Sequence, residues 1–123
     1  MNNVAILRQG DFIIASIQSD LTDAQVIELR DELADRVGQV RARGVIVDVA
    51  ALDVIDSFIA RALRSLAITV RLRGAETVIV GIRPEVAIAM VQFNMNLEPL
   101  RAAIDVDEAL EFLQQRPGWR SLA

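Results

Sequence analysis

The residues best equipped for chemistry in this 123-residue chain are Asp48, Asp53, Asp56 and Ser57, polar side chains that follow the apolar run Val45-Ile46-Val47. Paired carboxylates can act as acid and base in glycoside hydrolysis or gather a metal ion, and a serine hydroxyl can act as a nucleophile. Each of these chemistries needs partners, and the sequence withholds most of them. It contains no His, Cys, Lys or Tyr. A Ser-His or Cys-His pair, the usual zinc sites, a disulfide, a P-loop lysine and a Schiff base are thereby excluded. The three carboxylates also lack the alternating ligands and central Gly of a calcium loop. No catalytic residue, metal or cofactor is therefore expected. A small hydrolase using Asp53 and Asp56 is the enzymatic alternative, although so short a chain has little wall for a cleft. From residue types alone the cluster has a plain structural role. Asp56 or Ser57 can cap a helix by accepting an N–H of its first turn, and Asp53 can hold a turn through its own backbone.

Composition narrows the partners. Thirteen basic residues, all Arg, face seventeen acidic ones for a net charge of −4, the opposite of the basic footprint that duplex binding requires, so no nucleic acid is expected. Apolar residues make up 53% of the chain, which is high enough to suggest that some apolar surface meets another protein. No run approaches a membrane span, and Met1-Asn2-Asn3-Val4 does not open like a signal peptide, so the expectation is a cytoplasmic protein without a membrane partner.

The elements that must position the cluster can be read from periodicity. Val4–Leu7 and Phe12–Ile17, separated by Arg8-Gln9-Gly10-Asp11, read as an N-terminal hairpin. Thr22 and Gln25 form a capping box, with Leu21 and Val26 as its staple, and open a helix with Val26, Leu29, Leu33, Val37 and Val40 on one side. Its charged run, Glu28 to Arg36, is a solvated face. Val45–Val49 reads as a buried strand, followed by a loop from Ala50 to Asp56 and a helix from about Ser57 carrying Ile59, Leu63, Leu66 and Val70. Thr77–Ile82 reads as a strand. Arg83-Pro84-Glu85 starts a helix to about Phe93; an anion site there is disfavoured because proline removes one amide. Leu100–Ile104 reads as a brief edge strand. Asp105 and Glu108 open a last helix ending before Pro117, and residues 113–123, including Trp119, are assigned to a short C-terminal tail. The alternation predicts one α/β domain over residues 1–123, with a mixed sheet of four to five strands and about four helices. Functional loops in such sheets gather at the carboxyl ends of the strands, which favours the loop after Val49.

Asp48-Val49, Asp53-Val54-Ile55-Asp56-Ser57-Phe58-Ile59-Ala60 and Val80-Gly81-Ile82-Arg83-Pro84-Glu85-Val86-Ala87 together resemble a STAS domain of the anti-sigma-factor antagonist group, and within it the RsbS type of stressosome subunit. The likeness runs over nearly the whole chain, including Ser16-Ile17-Gln18 and Leu21-Thr22-Asp23. It implies that Ser57 is phosphorylated by a serine kinase of the RsbT type, which the unphosphorylated protein holds. It further implies assembly with RsbR-type STAS paralogues, and self-association, in a large shell. Phe58-Ile59 after the serine agrees with the RsbS type rather than the wider antagonist group. Ala89 stands where larger paralogues carry a second phosphorylatable threonine, so a second such site is not expected. The kinase contacts expected around Ser57 are Asp53, Ile55, Asp56, Phe58, Ile59 and Arg61, with Ile59 equally suited to the core. Two alternatives remain in the binding class: a STAS interaction subunit that works without phosphorylation, and an antagonist in a partner-switching pathway.

Overall fold

The computed structural model describes residues 3–115. Strand β1 (Val4–Gln9) turns through Gly10 and Asp11 into β2 (Phe12–Ile17). Gly10 sits at φ +59, a left-handed value that a glycine adopts without penalty. Helix α1 (Asp23–Val40) begins on the expected capping box, with Gln25 N donating to Thr22 Oγ1 at 3.2 Å and Thr22 N donating to Gln25 Oε1 at 2.9 Å. There follow β3 (Gly44–Asp48), α2 (Ser57–Arg71), β4 (Glu76–Val80), α3 (Pro84–Gln92), β5 (Arg101–Ala103) and α4 (Val106–Gln115).

The sheet has five strands in the order β1-β2-β3-β4-β5. β1 and β2 are antiparallel, and every other neighbouring pair is parallel. Because side chains alternate across a strand, each strand feeds two cores. Ile13, Ala15, Val45, Val47 and Ile79 pack with Leu29, Leu33 and Val37 of α1, Leu63, Leu66 and Val70 of α2, and Val86 and Met90 of α3. On the other face Phe12, Ile14, Ile46, Val78 and Val80 meet Ala109 and Leu113 of α4. β3 and β4 therefore lack a polar face and read as near-continuous apolar runs.

The predicted elements are all present, with shifted ends. β3 covers Gly44–Asp48 rather than Val45–Val49, and the edge strand is shortened to Arg101–Ala103. The assignment of residues from 113 onward to a tail is corrected, since α4 continues to Gln115 and Leu113 is only 3% exposed in the second core. Trp119 lies outside the described residues. Since β3 and β4 are adjacent and parallel, the loops leaving their carboxyl ends lie side by side.

Candidate functional site

Those two loops build the site. The β3–α2 loop is tied down at its start: Val49 N donates to Val80 O at 3.0 Å, Ala50 N to Asp48 Oδ1 at 2.9 Å, and Leu52 N to Val49 O at 2.9 Å. Asp48 thus holds a turn. Opposite it, Gly81 has φ +82, and a Cβ there would come within 2.9 Å of both Asp48 Oδ1 and Ala50 Cβ. The glycine is what allows the two loops to touch.

Further along, apolar side chains alternate between inside and outside. Leu52 is 2% exposed and Ile55 is 4% exposed, while Asp53 and Val54 between them face out, with Val54 64% exposed. Ile55 belongs to the core, which corrects its assignment to the partner-contact surface: β-branched apolar atoms in this loop are drawn inward wherever the backbone allows. Asp56 is the N-cap of α2. Its Oδ1 accepts Ile59 N at 2.8 Å and its carbonyl accepts Ala60 N at 3.0 Å. The choice between Asp56 and Ser57 as cap falls to Asp56. Ser57 is the first helical residue, exposed, and its hydroxyl makes no hydrogen bond among the described residues. Phe58 is half-buried, and Ile59 is half-buried against the main core. Arg61 is exposed one turn beyond Ser57.

The feature that sequence reasoning passed over is Arg83. Read as a helix start, it does precede Pro84 at the head of α3 without offering a side-chain cap. Its guanidinium instead crosses to the neighbouring loop, where Nη2 donates to Leu52 O at 2.8 Å and to Asp53 Oδ1 at 2.7 Å. Nη1 lies 3.6 Å from Glu85 Oε1, and Nε is buried without a hydrogen-bond partner among the described residues. The hydrogen bond to Asp53 pushes the Arg83 pKa above its ordinary value; desolvation opposes this, and the charges of Asp53 and Glu85 add smaller upward contributions. The sequence signal for this pair was the adjacency of two parallel strands, which sets an Arg at the end of one beside an Asp after the other.

The arrangement suits recognition better than turnover. Asp53 is engaged by Arg83 and Asp56 by the helix amide, so both candidate hydrolytic carboxylates already have structural work.

Comparison with known proteins identifies the fold. The family model described as STAS domain matches residues 3–109. A solved serine-to-glutamate variant of RsbS from Moorella thermoacetica is 30% identical, with a TM-score of 0.77 over 90% of this chain and 94% of that one. A structure described as the molecular architecture of the stressosome, a signal integration and transduction hub, is 27% identical, with a TM-score of 0.70 over 89% of this chain and 96% of that one. The unphosphorylated form of the anti-sigma factor antagonist SpoIIAA shares the fold at 14% identity and a TM-score of 0.73, over 90% of this chain and 96% of that one. No curated protein matches the sequence closely enough to count as a relative.

Proposed function

The chain belongs to the STAS-domain family, and from that premise we propose that it is a cytoplasmic, non-enzymatic stressosome scaffold that holds an RsbT-type serine kinase and releases it when Ser57 is phosphorylated. The observation that carries this reading is the exposed hydroxyl of Ser57 at the first position of α2, unbonded among the described residues, in a chain similar to RsbS over most of its length. RsbR-type paralogues and further copies of the chain are its proposed assembly partners.

The position explains how phosphorylation acts. The N–H groups of Ile59 and Ala60 are taken by Asp56, and those of Ser57 and Phe58 have no partner among the described residues. A phosphate at Ser57 adds about −1.5 to −2 charges and meets free amides and the positive end of the helix dipole. Helix α2 should therefore tolerate it. The cost falls on the partner: a surface fitted to a neutral hydroxyl would have to bury an unpaired dianion, which costs several kcal/mol and weakens binding about a hundredfold.

The test is to incubate the protein with a purified RsbT-type kinase and MgATP and to map phosphate by mass spectrometry. Label is expected on Ser57 and absent from Ser57→Ala; wild-type labelling of that variant would refute the site. Kinase binding should persist for Ser57→Ala and weaken for Ser57→Asp, and equal affinities would remove the electrostatic mechanism.

A STAS interaction subunit that works without phosphorylation is the second reading, supported by exposed Ile88 and Val91 on α3 and Phe93 just beyond it. It predicts a stable complex carrying no label on Ser57 after kinase treatment.

A further inference from the structure

We propose that Arg83 is a positioning residue for recognition of Ser57, and that Val54 is the apolar contact it helps display; this rests on the kinase-binding reading above. Leu52 and Ile55 enter the core at 2% and 4% exposure, forcing the two residues between them outward. A valine left 64% exposed between two buried anchors is a fixed apolar knob three residues before Ser57.

Arg83 fixes that tip from the side. One nitrogen, Nη2, uses its two hydrogens on Leu52 O and Asp53 Oδ1, so it restrains both the backbone before the knob and the side chain beside it. The backbone of Arg83 is in turn joined to α3, since Val86 N and Ala87 N donate to its carbonyl at 3.0 and 2.9 Å. The start of α3 and the approach to α2 thus move together, and the spacing between Val54 and the Ser57 hydroxyl is set before a partner arrives. Preorganisation of this kind lowers the ordering cost of binding. The partner surface it fits has an apolar socket for Val54 beside the centre that receives the serine. A lysine ammonium has hydrogens enough for both acceptors but sits on a flexible stem without the rigid guanidinium plane, so it holds them less firmly.

A merely structural role for Arg83 would lower stability and leave recognition by the folded protein unchanged, so the decisive measurements are steady-state phosphorylation of Ser57 by a purified RsbT-type kinase and amide exchange of residues 53–57. For Arg83→Ala, KM should rise about tenfold with kcat preserved, and exchange in the loop should accelerate, because positioning and uniform binding are lost rather than chemistry. Arg83→Lys should recover part of both effects. Val54→Ser should raise KM while leaving loop exchange at the wild-type rate. If Arg83→Ala does not fold, Asp53→Asn, which keeps an acceptor and removes the ion pair, supplies the same two readouts in weaker form. A wild-type KM or unchanged loop exchange in the folded Arg83 variant, or in Asp53→Asn where that variant serves, overturns the positioning role, and a wild-type KM for Val54→Ser overturns the contact. A wild-type protein that takes no label on Ser57 instead removes the kinase reading itself.

Discussion

At the scale of single residues, the site separates the side chain that caps α2 from the one that is available. Asp56 accepts the helix amide, and the Ser57 hydroxyl has no hydrogen-bond partner among the described residues. Both residues were legible in the sequence, but which one caps was not, since Asp and Ser cap about equally well. With no His or Cys in the chain, the group expected to titrate near neutrality once Ser57 is modified is the phosphate, whose second pKa is about 6. Arg83 does not compete with it. Its pKa is raised, so its stabilising contribution is fully present below the unfolded value and is lost only as pH climbs through the folded value, far above neutrality. Under the proposed function, release of the kinase by the phosphorylated protein should therefore be weaker at pH 5.5 than at pH 7.5, measured by binding at constant ionic strength, whereas the unphosphorylated protein should show no corresponding step that originates in Arg83. Gly81 sets a second expectation at this scale. Gly81→Ala adds a Cβ 2.9 Å from Asp48 Oδ1 at φ +82, and should cost about 2 kcal/mol in a denaturant melt while loosening the β3–α2 loop.

At the scale of elements, the strands were easy to find and their ends were not. β3 and β4 are buried on both faces, so their β-branched runs stand out, but the last paired residue depends on register with the neighbouring strand. The last helix ends before Pro117, as its pattern predicted, and so overlaps the tail assigned from residue 113. Residues 113–115 carry no strong stop signal before Pro117, and Leu113 belongs with Phe12, Ile14 and Ile46 in the core under α4. One element holds a stored defect. Thr77 in β4 is 2% exposed and its Oγ1 has no hydrogen-bond partner among the described residues. An isosteric Val there removes a desolvated hydroxyl, so Thr77→Val should stabilise the fold by about 1 kcal/mol in thermal or urea unfolding. A loss of stability would mean that the hydroxyl is satisfied.

At the scale of the whole molecule, one sheet divides two cores of unequal size, and the larger lies beneath α1, α2 and α3, which frame the site. Leu33 is fully buried there. Leu33→Ala should cost about 3 kcal/mol, a large share of the stability of a domain this size, and a chemical melt that moves by less than half of this would mean that the core collapses around the vacancy. The sequence by itself determined the α/β alternation and the capped start of α1, because periodicity and capping are local properties that the chain states outright, while its motifs carried the family likeness and pointed to the strand-to-helix loop. Tertiary structure alone decided that Ile55 is core while Val54 is surface, that Asp56 rather than Ser57 caps the helix, and that Arg83 reaches across to Leu52 and Asp53. Those outcomes depend on which loops the parallel pairing of β3 and β4 sets side by side, and that adjacency joins residues some thirty positions apart.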